Sequence, residues 1–295
     1  MTKLRVIFKA MRLSEQPTIV VSFLYGILDQ GSLYHPPGRC YASTGIGLLL
    51  ISIAAFILNE YADKGMNAKR LDRIPSEISG RATSIMVSSL STLGLALGFY
   101  GGARICTAGT LLFGLLYSIP NIHLKTKPVL DLVSLGFSFV ILPYMAPLEI
   151  TASHGGLPHN PNISLLNLTF LLLFLSACNL IAMIRDIDAD SEAGVHNTTV
   201  ALGVRRSLLF GRYLAAASFM VGTAVLYRSI AWWYLPMFLC IPVVASIFAF
   251  GLGALSDRDK IQCYFASSAR AGIMTGNALM ISLSLIALFS CVIFR

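Results

Sequence analysis

Charge is scarce in this chain: Asp, Glu, Lys and Arg make up 12% of its 295 residues, about half the share found in soluble domains. A surface that poor in charge cannot face water on all sides, so a soluble globular domain is excluded. Ordered cysteine spacing is missing as well. Cys40, Cys106, Cys178, Cys240, Cys263 and Cys291 stand singly, with no CxxC or Cys/His pattern, which excludes a disulfide framework or zinc site and leaves them as small apolar residues. The net charge of +8 is not gathered into a basic patch interleaved with aromatics, so nucleic acid is not an expected partner. Acids near mid-span and an internal repeat, the marks of an ion transporter, are absent too.

What is abundant is apolar length. Hydrophobic residues form 56% of the chain and its mean hydropathy is +0.73, as in an integral membrane protein. Runs long enough to cross a bilayer fall at 14–31, 41–60, 82–101, 103–119, 128–147, 163–184, 207–227, 233–255 and 271–293, at about 20 residues per crossing. The expected fold is therefore all-α and polytopic, with nine transmembrane helices in one domain spanning 1–295. Residues 1–13, where Lys3, Arg5, Lys9 and Arg12 alternate with Leu4, Val6, Ile7, Phe8 and Met11, read as an uncleaved amphipathic helix on the inner leaflet.

Loop charges orient the chain. With the N-terminus inside, the inner segments carry Lys64, Lys69, Arg70, Arg73, Arg81, Lys125, Lys127, Arg185, Arg205, Arg206, Arg258, Lys260 and Arg270, against Arg39, Arg104, Arg228 and Arg295 outside. The excess of cations marks the cytoplasmic face. The outer loop 147–161, with His154 and His159, reads as linker.

Two polar clusters end on that face. Asn59, Asp63 and Asn67 recur every four residues after the second run, and so line one side if the helix continues. Asp186 and Asp190 share a face after the sixth, with Asn179 two turns earlier on nearly the same side. Two oxygen-rich stripes across a helical cavity suit Mg2+, which takes a few carboxylates together with water and ligand phosphates. Lys125, Arg70 and Arg73 would neutralise the rest of a diphosphate, although Arg70 and Arg73 equally read as charges that only set topology. Asp131, one turn into an apolar helix, either faces a polar cavity or pairs with Lys127. Tyr117, Phe99 or Tyr100 either faces a carbocation or packs as an ordinary interface aromatic. The chemistry that uses such a set is ionisation of an allylic diphosphate, its tail lying among the apolar helices.

The N-x-x-x-D-x-x-x-N stripe, Tyr117-Ser118-Ile119-Pro120 with Lys125 behind it, and D-x-x-x-D followed by A-G-V-x-x-T-T-x-x-L-G from Ala193 to Gly203 together resemble the UbiA superfamily of intramembrane prenyltransferases over essentially the whole chain. The resemblance implies a central cavity open to lipid with a polar cap on the cytoplasmic side. It also implies a cation held by Asn59, Asp63, Asp186 and Asp190, with Asn67 completing the stripe. A diphosphate would be held by Asn59, Arg70, Arg73, Lys125 and Asn179, with Asp63, Asp186, Asp190 and Lys125 as the catalytic set. The implied activity is Mg2+-dependent prenyl transfer from an isoprenyl diphosphate donor to a lipophilic acceptor, with terpene cyclisation as the close variant, in the plasma membrane of a prokaryote. Glu60 and Asn67 stand where the family usually has Asp, and His196 where many relatives have Lys, which implies altered metal geometry or a specialised substrate. The Lys125-to-Asp131 stretch and the Thr198-Thr199 pair are similar to branches acting on carotenoid-like isoprenoids, such as lycopene elongases.

Overall fold

Long apolar runs without competing turn residues close their own backbone hydrogen bonds, and in lipid they must. The computed structural model describes residues 16–30, 36–62, 79–119, 121–156, 161–229, 235–253 and 264, and its regular elements there are all helical. They are α1 (Pro17–Gln30), α2 (Gly38–Ala62), α3 (Gly80–Gly101), α4 (Arg104–Ser118), a 3₁₀ turn (Leu124–Thr126), α5 (Leu130–Gly136), a π-helical stretch (Phe137–Ile141), α6 (Leu142–Ser153), α7 (Pro161–Arg185), α8 (Ile187–Glu192), α9 (Thr198–Ser229) and α10 (Leu235–Gly253). Five stretches, Gly38–Ala62, Gly80–Gly101, Leu130–Ser153, Leu165–Arg185 and Thr198–Tyr227, are long and apolar enough to cross a membrane, and Thr18–Asp29, Arg104–Ser118 and Phe238–Gly253 are shorter apolar helices. The expected runs from 14–31 to 233–255 thus all coincide with helices. The run at 271–293 and the amphipathic segment 1–13 lie outside the described residues.

Two boundaries differ from expectation: α9 begins at Thr198, ahead of the run at 207–227, with its helical geometry broken at Gly203 (φ 73°, ψ 164°), and the fifth run ends later. The fifth run does not end at Pro147: α6 continues to Ser153 with Pro147 inside it. The proline removes a single donor, while the following turn is secured by Thr151, whose Oγ1 donates to the Pro147 carbonyl at 3.0 Å. The first part of the presumed outer linker is therefore helix.

Packing follows the glycines. Among the described residues the most extensive helix packing is that of α2 with α3. A Cβ added at Gly47 would come within 2.6 Å of the Gly94 carbonyl oxygen, and one at Gly94 within 2.8 Å of the Gly47 carbonyl oxygen. Small residues let membrane helices approach to this range where dispersion, rather than solvent exclusion, holds them. Elsewhere, α1, α6, α7, α9 and α10 share a core of Tyr25, Tyr144, Phe170, Leu180, Leu208 and Phe248. A second cluster, Ile19, Phe23, Leu48, Cys106 and Ile150, joins α1, α2, α4 and α6. Outside, Ile105, Tyr213, Met220 and Tyr227 are exposed, the inverse of a water-soluble surface and the pattern of an integral membrane protein.

Replacing Gly47 by Leu is expected to cost about 1–3 kcal/mol by overpacking against backbone, lowering the SDS-unfolding midpoint of the detergent-solubilised protein. Gly38→Ala, at a site with nothing within 4 Å of an added Cβ, should leave it unchanged.

Candidate active site

Helix direction alternates along the chain, so the polar residues gather at two ends of the bundle. At one end α2 finishes with Asn59 half-buried. The 3₁₀ turn carries Lys125, only 8% exposed, and its Nζ donates to Asn59 Oδ1 at a long 3.4 Å. Two motifs separated by many residues therefore meet.

The segment that delivers Lys125 is bent in an unusual way. His123 (φ 45°) and Val129 (φ 71°) are its positive-φ non-glycine residues, a region that a β-branched side chain enters only when its surroundings compel it. Asp131 supplies the compulsion. Wholly buried, it accepts from the Thr198 backbone N–H at 2.7 Å through Oδ2, and from the Thr198 hydroxyl and the Leu132 N–H at 2.8 Å through Oδ1. Thr198 Oγ1 in turn accepts from the Val129 N–H at 2.7 Å. A carboxylate at the first turn of α9 also complements the helix dipole. The expectation of an Asp131–Lys127 pair is not met: Lys127 is exposed, whereas the carboxylate is committed to α9, sixty-seven positions further along.

The second acidic cluster sits where α7 gives way to α8. Arg185 donates to Asp186 through Nε and Nη2, both at 2.9 Å. Asp190 is 7% exposed and accepts from Asn197 Nδ2 at 2.8 Å. Asn197 Oδ1 accepts from the Val200 N–H at 2.9 Å, the bond of a helix N-cap. Asn197 is therefore a cap and a partner of Asp190, two roles for which Asn before Thr198-Thr199 was a readable signal. Asn179 and Asp188 are half-buried on the same two helices.

Asp63, Asn67, Arg70 and Arg73 lie outside the described residues. Among the described residues no three His, Cys, Asp or Glu side chains converge closely enough to hold a metal ion. The donors present at this end, the carboxylates of Asp186 and Asp190 and the amides of Asn59 and Asn179, are oxygen ligands. They fit a hard divalent cation such as Mg2+ and not a thiolate- or imidazole-seeking metal.

The opposite end holds polar residues that sequence reasoning passed over. Asp29 is 6% exposed and accepts from Tyr144 Oη at 2.6 Å and from Asn167 Nδ2, so Asn167 is a buried structural amide. Glu149 accepts from the Ile105 and Cys106 N–H groups at 2.7 and 2.8 Å, capping α4 from its neighbour. His154, the C-cap of α6, is tied down and not free linker: its Nδ1 lies 2.8 Å from the Ile150 carbonyl, which can only accept, and its Nε2 lies 3.5 Å from Cys40 Sγ. Phe99 and Tyr100, candidates for facing a carbocation, also belong to this end and are 45% and 66% exposed. They are lipid-side aromatics, remote from Lys125 in the alternation of the helices.

The profile of the UbiA prenyltransferase family matches residues 18–274. A UbiA homologue from Archaeoglobus fulgidus, solved with DMAPP and Mg2+, superposes with a TM-score of 0.65 at 17% identity, covering 93% of this chain and 98% of that one. A UbiA homologue from Aeropyrum pernix K1 does so at 0.61 and 16% identity, covering 96% and 98%. In sequence, the lycopene elongase/hydratase of Halobacterium salinarum is 28% identical over 212 residues, 68% of this chain and 71% of that protein.

The Asp131 anchorage predicts a measurable cost. Thr198→Val removes the hydroxyl that both donates to Asp131 and accepts from Val129, and is expected to destabilise by about 2–4 kcal/mol in thermal unfolding in detergent. Thr198→Ser, which keeps the oxygen, should lose about 1 kcal/mol or less.

Proposed function

Because the chain belongs to the UbiA prenyltransferase family, we propose that it transfers a prenyl group, with Mg2+, from an allylic isoprenyl diphosphate to a lipophilic acceptor inside the membrane. The observation that carries this reading is the buried Lys125, anchored through Asp131 and Thr198 and brought 3.4 Å from Asn59, at the bundle end that also bears Asp186 and Asp190. A buried ammonium beside an amide oxygen is a half-built anion site. The DMAPP-bound homologue, and another solved with GPP and Mg2+, support a short allylic diphosphate as donor chemistry. The Halobacterium relative supports an isoprenoid acceptor.

In this reading Asn59, Asp63, Asn67, Asp186 and Asp190 hold the cation, which neutralises charge on the departing diphosphate when bound. Lys125 and Asn179, with Arg70 and Arg73, hold the diphosphate oxygens. The C1–O bond breaks with its electron pair going to the diphosphate, an acceptor π bond closes on C1, and the acceptor loses a proton to the released diphosphate or to water. Arg185, clasping Asp186 through both carboxylate oxygens, fixes the direction of that carboxylate. The wider architecture proposed is nine spans around a lipid-open chamber, with a polar cap and the N-terminus on the cytoplasmic face of a prokaryotic plasma membrane. A tail can then enter sideways while its diphosphate stays at the surface.

Nanodisc-reconstituted protein, given Mg2+, allylic diphosphates of C10 to C40 length and a panel of aromatic and isoprenoid acceptors, is expected to release diphosphate and form an alkylated acceptor. Asp186→Asn and Asp190→Asn should each reduce turnover by about 100-fold or more. Absence of diphosphate release from every donor would overturn the assignment, and a cyclic hydrocarbon formed without acceptor would replace transfer by cyclisation.

A further inference from the structure

Of the three aromatics singled out in sequence, Phe99 and Tyr100 sit at the far end of the bundle and Tyr117 is half-buried at the end of α4, near the Lys125 turn; one further pair lies deeper at that end. Ser52, Phe56 and Asn59 follow one another at helical spacing on a single face of α2. Ser52 is buried, and its hydroxyl bonds the buried Gln16 side chain. Asn59 meets Lys125. Phe56, between Ser52 and Asn59 on that face, is half-buried.

Phe139 lies against Phe56, the ring centroids 5.7 Å apart at a 49° tilt. It packs against the cluster of Ile19, Leu48 and Ile150 and is likewise half-buried. Its position depends on the π-helical stretch Phe137–Ile141, a widened turn of the kind that re-aims side chains at functional sites. The same stretch lays Phe137 flat on Phe113 of α4, centroids 4.7 Å apart at 12°. The wide turn thus presents one ring to α2 and another to α4. Phe56 lies one turn, about 4.5 Å along the axis, beneath Asn59, which is the depth of the first isoprene unit of a substrate whose diphosphate is held at Lys125.

We infer that Phe56 and Phe139 form the aromatic station that receives the allylic cation: their rings face C1–C3 as the C1–O electron pair leaves with the diphosphate, and hold the cation until the acceptor π bond closes on C1. The placement rests on the prenyl-transfer reading, since it takes the Lys125 end as the diphosphate end. Electron-rich faces attract a cation without offering a lone pair to trap it. An amide or hydroxyl at the same depth would deliver water instead.

The test separates π density from packing by binding. A prenyl analogue carrying an ammonium nitrogen in place of the cationic carbon, and its neutral carbon isostere, are titrated with inorganic diphosphate and Mg2+ against wild type, Phe56→Leu, Phe139→Leu and Phe139→Tyr. The ammonium analogue should bind the leucine variants about 5- to 30-fold more weakly than wild type. The neutral isostere and inorganic diphosphate alone should be nearly unaffected, and Phe139→Tyr should retain wild-type affinity. Equal weakening of charged and neutral analogues, or no weakening, overturns the station. A charge-selective loss in a protein that releases no diphosphate from any donor would show that the rings bind a cation but overturn prenyl transfer, and with it their role at C1.

Discussion

The Asp131 carboxylate is the tie on which this end of the molecule depends. A buried acid in a membrane helix is tolerable only if donors surround it, and Asp131 finds them on Thr198 and Leu132. By doing so it pins the connection between α4 and α5 to the start of α9. With that connection held, Val129 stays in a backbone region it would otherwise leave, and Lys125 stays inside, against Asn59. The same α9 start is capped by Asn197, whose amide reaches Asp190. One helix N-terminus therefore couples the lysine segment to the second acidic cluster.

Lipid dictates the rest of the arrangement. Backbone and side-chain polar groups cannot be left for solvent in the bilayer interior, so polar chemistry is sorted to the two ends, and each end closes its own network. The end away from Lys125 uses Glu149 to cap α4, Asp29 to gather Tyr144 and Asn167, and His154 to cover the end of α6. These bonds hold α1, α4, α6 and α7 in register with one another. The glycine contact between α2 and α3 completes the frame on which Asn59 is presented.

Much of this was legible from one dimension. Composition and run length identified a polytopic helical membrane protein, and the Asn59, Lys125 and Asp186–Asp190 motifs marked one end of the bundle. What escaped has physical causes. Pro147 looked like a terminus, yet an intramembrane helix absorbs one missing donor when the next turn is secured. Asp131 had a cation four residues away in Lys127, and only the fold shows that Thr198 is nearer. Phe99 and Tyr100 attracted attention as aromatics, but the chain reversal at Gly102, with φ 96°, puts them at the opposite end from the lysine. His154 stood alone in sequence because its neighbours, Cys40 and the Ile150 carbonyl, come from another helix and from the turn behind it.

The amino-acid sequence by itself determined the solvent and the residue types: apolar length demands a bilayer, and oxygen ligands with buried cations define a hard, anionic chemistry whatever their arrangement. The tertiary structure alone decided which of those residues meet. Helix periodicity reports what shares a face within one element. Pairings such as Lys125 with Asn59, Asp131 with Thr198 and Phe56 with Phe139 depend on how separate helices cross, and close approach between helices is set by side-chain volume and mutual hydrogen bonding, quantities that belong to two elements at once.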